Sequence, residues 1–419
     1  MTAEDRYLLK RKIRAFGNTV LFLLCRVMPV QKNKISVCTF EGRGGFGCNP
    51  RYIVEELHRR NAGYRFVWFV NDDAKEFPAY IKKVKNTVWN RARYLSTSKI
   101  WLDNYRKPYG TKKRKGQYYI NTWHGTIGFK ATGLWRGEAF SEMAYLVSRN
   151  DSDMIDYVLI DSEWCREMFP DGLVYYGEFL KFGAPRCDIL YGDRGREKEE
   201  FKKRFQVEEK DAKFVMYAPT FREQQKGGSR SVYSQTCSLD FDKLMTALQE
   251  KFGGSWYVCV RVHPQLAGSV REYGGEQLID LSSQDDMYEV LAAMDILITD
   301  YSSVAMDASF AGIPVFIYAD DIEEYTKERG SLLWELSADT TVPVRNNKRM
   351  TPGIDTELPY GIARNNEELG DIIFRFDREA YEVKMKDFKR DVQIVFDGQA
   401  SRRTADKIEM LMKEGNFRK

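Results

Sequence analysis

Two histidines stand where an α/β sheet would present them to a ligand. His124 follows the apolar run "QYYINTW", His263 follows "WYVCVRV", and the chain has only one further histidine, His58. A lone histidine is more often structural, but an imidazole with a pKa of about 6.5 can take a proton from a hydroxyl near neutral pH. Two histidines at matching strand ends favour a catalytic pair, with His124 as the candidate general base.

Hydroxyl and cationic side chains at other predicted strand ends favour an anion site. Ser302 and Ser303 follow the strand-like "ILITD" and precede a predicted helix, whose first N–H groups and dipole attract phosphate. Taken alone, the two serines fit ordinary helix capping better, and it is their neighbours that favour an anion site. Thr220 and Arg222 end another predicted strand in the same half of the chain, where a hydroxyl and a guanidinium can converge on one anion.

The elements that must position these groups alternate between strand and helix from residue 35 onward. In "NPRYIVEELHRR" the pattern predicts a helix with Asn49 as its N-cap. The series indicates an α/β chain of two Rossmann-like, doubly wound parallel sheets facing a common cleft. A highly charged stretch marks the boundary between them, so the predicted domains are residues 31–205 and 206–395. Residues 396–419 are predicted to form a helix that packs back across the boundary.

Residues 1–30 mix basic and apolar side chains. The apolar stretch is shorter than the ~20 residues that span a bilayer, and no signal-peptide cleavage site follows it. An amphipathic helix on an anionic membrane surface fits this pattern, and a helix packed on its own protein is the alternative.

Bulk composition excludes several classes of protein. With 65 Lys and Arg against 61 Asp and Glu, the net charge of +4 is not the signature of a nucleic-acid binder. The 7 cysteines are scattered, which suits a reducing compartment and argues against disulfides or a zinc site.

Six motifs now occur in an order that resembles a known family. They are "WHGT", "GAPRCDIL", "YAPTFRE", "RVHP", "ITDYSSVAMDAS" and "FDGQASRRTADKI". The chain resembles the CDP-glycerol glycerophosphotransferases, the teichoic-acid primases and polymerases of the bacterial cell envelope, over residues 36 to 412.

The resemblance implies a GT-B-like enzyme, peripheral on the cytoplasmic face of the membrane, that moves glycerol phosphate from CDP-glycerol to a lipid-linked acceptor and releases CMP. His124 would be the base, and His263 would stabilise the diphosphate or leaving group. Thr220, Arg222, Ser302 and Ser303 would hold the donor phosphates. Asp397 and Ser401 fall in a family motif whose role the sequence does not give.

The glycine-rich turn "EGRGGFGCNP" has the spacing of a dinucleotide-binding loop, with Asp72 after the next strand. By resemblance it lies on the acceptor side, where Gly44 and Gly45 would make room for a phosphate-bearing acceptor. Lys130 is also predicted on the acceptor side. After "WHGT" the chain departs from the family pattern where the acceptor should lie, with Lys130 one place later than expected, so acceptor identity stays open.

Cofactors and competing functions follow from the same residues. Cationic groups and a helix end would offset charge on the phosphates, so no tightly bound metal is expected, although Mg²⁺ in solution can assist. CDP-ribitol as donor, a nucleotide-sugar glycosyltransferase of GT-B type, and a non-catalytic membrane-associated subunit that holds an acceptor are the alternatives.

Overall fold

The computed structural model describes residues 2–61, 63–220, 222–226, 229–233, 238–262, 277–330, 332–336, 344–346 and 356–414. The chain divides into two compact units. The first comprises residues 1–126, 132–188 and 395–419, and the second comprises residues 127–131 and 189–394. The chain therefore passes from the first unit to the main part of the second between residues 188 and 189, before the charged stretch. The sequence had predicted this boundary between residues 205 and 206.

The first unit alternates helices and strands along most of its length. Its elements before the crossing are α1 (Ala3–Leu24), β1 (Gln31–Cys38), α2 (Cys48–Arg60), β2 (Arg65–Val70), β3 (Ile81–Lys85), α3 (Val88–Thr97), β4 (Ser98–Asp103), β5 (Tyr118–Asn121), α4 (Glu142–Ser152), β6 (Tyr157–Ile160), α5 (Glu163–Leu173) and β7 (Glu178–Lys181).

Seven parallel strands form the sheet of the first unit, in the order β3-β2-β1-β4-β5-β6-β7. The order reverses direction between β1 and β4, which is the topological switch point of a doubly wound sheet. Apolar side chains cover both faces: Ile53 and Leu57 of α2 pack in one cluster, and Phe22 of α1 packs in another beside Trp101 of β4.

Helix α1 is built into the first unit along one face and exposed along the other. Phe22 is fully buried, and Asn18 Nδ2 donates to the carbonyl of Tyr109 at 3.1 Å. The exposed face carries an apolar stripe at alternating spacings of three and four, the period of a helix. The stripe comprises Leu9, Ile13, Phe16, Val20, Leu23 and, just beyond the helix, Val27. No helix among the described residues is long and apolar enough to cross a bilayer.

The second unit repeats the pattern with additional short strands. Its elements are α6 (Arg194–Phe205), β8 (Ala212–Ala218), β9 (Arg222–Lys226), β10 (Ser229–Tyr233), α7 (Phe241–Phe252), β11 (Ser255–Val260), β12 (Leu278–Asp280), α8 (Met287–Leu291), β13 (Ile296–Thr299), α9 (Val304–Phe310), β14 (Val315–Tyr318), α10 (Ile322–Arg329), β15 (Trp334–Glu335), β16 (Val344–Asn346), β17 (Glu357–Leu358), β18 (Gly361–Ala363), α11 (Asn366–Arg375) and α12 (Arg378–Val392).

Six parallel strands form its main sheet, in the order β12-β11-β8-β13-β14-β18. The switch point lies between β8 and β13. Strands β9 and β10 form an antiparallel hairpin, and β15, β16 and β17 form a small antiparallel sheet. The predicted α/β fold with two doubly wound parallel sheets is thus confirmed.

The last helix, α13 (Ala400–Lys413), returns to the first unit. Ala405, Ile408 and Leu411 are fully buried, and they complete the core cluster that contains Ile53 and Leu57 of α2. The helix therefore supplies part of the core of a unit whose sheet was formed more than two hundred residues earlier.

Candidate active site

His124 lies three residues beyond β5 in the first unit, near the switch point between β1 and β4. Open α/β sheets bind ligands outside the carboxyl ends of their strands at such a point. The imidazole Nδ1 is 2.6 Å from the backbone carbonyl of Asn104, the residue after β4. A carbonyl only accepts, so Nδ1 carries the proton and the basic lone pair belongs to Nε2. This tautomer suits a general base.

Three aromatic rings surround this imidazole. Their centroids lie 5.3 Å (Phe40, edge-on), 5.3 Å (Tyr105, stacked) and 4.5 Å (Trp123, tilted) from that of His124. Phe40 and Trp123 both have φ of +48°. Bulky residues rarely adopt this left-handed conformation, and they keep it only where their surroundings hold it.

Buried asparagines hold these backbones in place. Asn104 Oδ1 accepts from the N–H of Phe40 at 2.8 Å, and Asn121 Oδ1 accepts from the N–H of Trp123 at 2.8 Å. Asn49 was predicted to cap α2, but Gly47 is the N-cap. The Asn49 Nδ2 instead donates to the carbonyl of Trp123 at 3.1 Å. Side-chain amides suit this task because each offers a donor and an acceptor without charge.

A buried ion pair lies at the base of the loop that carries Asn104 and Tyr105. Lys107 Nζ donates to the Asp103 carboxylate, and both side chains are almost fully buried. Asp151 of α4 accepts from the backbone N–H of Lys107 at 3.0 Å. Burial raises the pKa of Asp151 to about 7, against the opposing effect of that hydrogen bond. Contacts at Lys107 thus fix this loop, in addition to the contact between Asn104 and Phe40.

The glycine-rich turn packs against Phe40, one of the residues whose rings contact the imidazole. A Cβ at Gly44 would lie 2.7 Å from Thr39 Oγ1 and 2.9 Å from the ring of Phe40. The carbonyl of Gly45, which is buried, accepts from Thr39 Oγ1 at 3.1 Å. The packing of the turn itself therefore requires glycine at position 44, and the proposed acceptor role of the two glycines stays a prediction.

At the switch point of the second unit, Asp300 connects the ends of β8 and β13. Its two carboxylate oxygens accept from the backbone N–H of Thr220 at 2.9 and 3.0 Å, and one accepts from that of Tyr301 at 2.6 Å. Asp300 is 3% exposed. Thr220 therefore lies where the sheet order predicts a ligand.

Ser302 and Ser303 precede α9, a helix of only 7 residues. Ser303 is the N-cap residue, but its side chain makes no capping bond; Ser302 Oγ accepts from the N–H of Val304 at a long 3.4 Å. Both residues are half-buried. Capping by serine therefore accounts for little of their presence here.

Lys130 lies in the second unit, within the segment 127–131. It was predicted on the acceptor side, but its Nζ lies 3.4 Å from Thr220 Oγ1 and 5.8 Å from the centre of the Tyr325 ring. It also pairs with Leu332 through an isolated antiparallel bridge. The structure thus brings Lys130 to Thr220, one of the residues predicted to bind donor phosphate.

Two predicted site residues lie partly or wholly outside the described part of the chain. Arg222 begins β9, but its side chain is outside the described residues, and His263 lies outside them altogether. Their roles stay predictions.

Asp397 and Ser401 lie at the start of α13. Asp397 forms a bidentate pair with Arg403 at 2.7 and 2.8 Å. The N–H of Ser401 donates to Asp188 at 2.7 Å, and that of Ala400 donates to the same carboxylate at 3.0 Å. These contacts give the motif a place in joining α13 to the first unit.

Four residues of these sites were not predicted from the sequence: Asn104, Tyr105, Asn121 and Asp300. Asn104 and Asp300 each directly follow a buried strand, and Asn121 ends one. A polar residue at the carboxyl end of a buried strand was the available signal.

Comparison with known proteins places this chain in a family. The profile described as CDP-Glycerol:Poly(glycerophosphate) glycerophosphotransferase matches residues 20–410. A teichoic acid poly(glycerol phosphate) polymerase of Staphylococcus epidermidis is 28% identical over 393 residues, covering 91% of this chain and 51% of that protein. A teichoic acid ribitol-phosphate primase of Bacillus spizizenii is 25% identical over 425 residues, covering 97% and 98%.

Solved structures agree on the fold. The wall teichoic acid polymerase TagF superposes with a TM-score of 0.76 at 24% identity, covering 97% of this chain and 98% of that one. The chain spans about half the length of the polymerase from Staphylococcus epidermidis. With its two Rossmann-like sheets and a profile match over nearly its whole length, the chain belongs to the CDP-glycerol:poly(glycerophosphate) glycerophosphotransferase family.

Proposed function

We propose that this chain transfers glycerol phosphate from CDP-glycerol to a hydroxyl group of a lipid-linked cell-envelope acceptor, with His124 as general base. The observation that carries the proposal is the contact between His124 Nδ1 and the carbonyl of Asn104. It assigns the basic lone pair to Nε2 in a chain whose family is defined by this transfer.

The reaction is an in-line displacement at phosphorus. His124 Nε2 takes the proton of the acceptor hydroxyl as its oxygen attacks the β-phosphorus of CDP-glycerol. A new bond forms between that oxygen and phosphorus, and the bond from the β-phosphorus to the bridging oxygen breaks. CMP leaves with the bridging oxygen, and the imidazolium returns its proton to the leaving phosphate or to water.

The donor phosphates are proposed to bind at the switch point of the second unit. Thr220, Ser302 and Ser303 offer hydroxyl groups there, and Lys130 offers a positive charge 3.4 Å from Thr220 Oγ1. The backbone of Thr220 is fixed by Asp300, so a phosphate contact there costs little reorganisation. Arg222 and His263 keep their predicted roles on the diphosphate and leaving group.

We propose that the transfer needs no tightly bound metal ion. Among the described residues, no group of three or more His, Cys, Asp or Glu side chains is arranged to hold a metal ion. We expect transfer to continue in EDTA, with Mg²⁺ raising the rate by weak association with the phosphates. Complete loss of CMP formation in EDTA would contradict this.

The test is a CMP-release assay on the full chain with CDP-glycerol and a lipid-linked acceptor. His124→Ala should lower CMP formation at least about 100-fold, the lower range for loss of a general base. His58→Ala is the matched control, because His58 lies on α2 stacked on Tyr80 at 3.7 Å and has no proposed part in transfer. Full activity in His124→Ala would refute the assignment of the base.

Ribitol phosphate is the second candidate group to be transferred. One relative that matches nearly end to end is named a teichoic acid ribitol-phosphate primase. Mass spectrometry of products made with CDP-glycerol and with CDP-ribitol would identify the donor and would also count the units added. Release of a nucleoside diphosphate instead of CMP would indicate sugar transfer.

We also propose that the protein works at the cytoplasmic membrane surface, where a lipid-linked acceptor would be found. The support is the apolar stripe of α1, flanked by the exposed cations Arg6, Lys10, Lys12 and Arg14. Such a helix binds anionic lipid through both apolar burial and charge.

A further inference from the structure

One buried side chain, Asn121, contacts the backbone of two of the three aromatic residues around His124. Asn121 ends β5 and is 2% exposed. Its Nδ2 donates to the carbonyl of Tyr105 at 3.1 Å and to Tyr119 Oη at 3.3 Å. Its Oδ1 accepts from the N–H of Trp123 at 2.8 Å. A single carboxamide therefore links the loop after β4 to the residue that precedes the histidine.

Both linked residues set the position of the imidazole. The rings of Tyr105 and Trp123 lie nearly parallel, at 10°, and each also contacts the ring of His124. Tyr105 directly follows Asn104, whose carbonyl accepts a hydrogen bond from Nδ1–H of His124. Trp123 directly precedes His124 and has a left-handed backbone, which needs support from its surroundings.

We propose that Asn121 is a positioning residue that fixes the tautomer and orientation of His124. The proposal rests on the proposed role of His124 as base. Without the carboxamide, the N–H of Trp123 loses its acceptor, and the carbonyl of Tyr105 loses the shorter of two hydrogen bonds and keeps that from the Tyr119 hydroxyl at 3.3 Å. The Asn104 carbonyl then moves relative to Nδ1, and the ring proton is no longer confined to Nδ1. A histidine protonated on Nε2 cannot accept the hydroxyl proton there.

The first measurement is steady-state kinetics of CMP release. In Asn121→Ala we expect kcat to fall about 10- to 100-fold, the range for a misplaced catalytic group. KM for CDP-glycerol should stay within about twofold, because the donor residues are untouched. Asn366→Ala, in the second unit, is the matched control. Asn366 Oδ1 accepts from the backbone N–H of Asp240 at 2.9 Å, and its Nδ2 donates to the carbonyl of Ser238 at 2.8 Å. It should retain wild-type kcat.

The second measurement needs no activity. In protein labelled with ¹⁵N-histidine, ring nitrogen shifts report which nitrogen carries the proton. The chain has 3 histidines, so the His124 signals are those lost in His124→Ala. We expect Nδ1–H in the wild type and in Asn366→Ala, and a mixture of tautomers in Asn121→Ala.

The outcomes separate the two proposals. If His124→Ala is active, His124 is not the general base. The ring nitrogen shifts of the wild type and of Asn121→Ala still test whether Asn121 positions the His124 ring. A folded Asn121→Ala protein with wild-type shifts and wild-type kcat overturns the positioning role. If Asn121→Ala does not fold, Asn121→Asp keeps the acceptor for Trp123 and removes the donor to Tyr105. It should show a smaller change in the same direction, and unchanged shifts in that variant would also overturn the proposal.

Discussion

The apolar stripe of α1 gives the most direct test of membrane association. Phe16 is 72% exposed in the middle of the stripe, and Phe374 of α11 is 68% exposed in the second unit. The two residues have the same side chain and nearly the same exposure, but only Phe16 belongs to the exposed apolar stripe of α1, whereas the centre of the Phe374 ring lies 6.0 Å from Lys251 Nζ on the second unit. The prediction compares Phe16→Ser with Phe374→Ser.

The magnitude follows from the area that remains to be buried. Full burial of a Phe side chain is worth up to about 3 kcal/mol, so inserting the exposed part of Phe16 gains about 2 kcal/mol. Since each 1.4 kcal/mol is about tenfold in partitioning, Phe16→Ser should weaken vesicle binding about thirtyfold. Adding Ile13→Ser, at a position 63% exposed, should weaken it about tenfold further.

The assay is co-sedimentation with vesicles that contain phosphatidylglycerol, at low salt. The wild type and Phe374→Ser should bind alike, and vesicles without anionic lipid should bind more weakly because the cations on α1 lose their attraction. Raising the salt should reduce the difference between the two lipids. Equal binding by Phe16→Ser and Phe374→Ser, with both variants folded, would refute the assignment of α1 as the lipid-binding face.

Three further predictions concern stability. Burial and three nearby cations lower the pKa of Lys34 from 10.5 to about 8, so the charged amine is a cost below pH 8 that disappears as pH rises to 10.5. In urea at pH 7, Lys34→Met should raise the free energy of unfolding by about 2–3 kcal/mol, while Lys32→Met, at an exposed position of the same strand, should change it little. Asp188→Ala should lower the free energy of unfolding by about 2–4 kcal/mol, because the first two amides of α13 lose their acceptor, and no loss in urea would contradict this capping role. Gly110→Ala should displace α1, since Gly110 has φ of +85° and a Cβ would lie 2.1 Å from the carbonyl oxygen of Ala15. Trypsin should then cleave within α1 faster than in the wild type, and an unchanged cleavage rate would contradict the displacement.

The sequence predicted the central strands well because each is a short apolar run between turn signals. It missed β3 and β7, whose sequences are "IKKVK" and "EFLK". Both are edge strands of the first sheet, and charged side chains are tolerated there because one side of the strand faces no neighbour. An apolar-run criterion cannot recognise such strands.

Sequence reasoning proposed His124 and Thr220 because both follow buried strands, and their roles stay predictions. It placed Lys130 on the acceptor side, but the segment 127–131 crosses to the second unit and returns within a few residues. Local pattern cannot show such a crossing. Asn121 was missed for a related reason: its value lies in contacts to Tyr105 and Trp123 that only the folded backbone creates.

The return of α13 to the first unit bears on the order of events during synthesis. Ile408 and Leu411 are fully buried against α2, yet they leave the ribosome after the whole second unit. The second unit can fold as soon as it emerges, whereas the first must wait with an apolar face of its sheet and α2 uncovered. A chaperone that binds exposed apolar segments would therefore meet the earliest-made half of the nascent chain longest, and a ribosome stalled before residue 400 would hold that half incomplete.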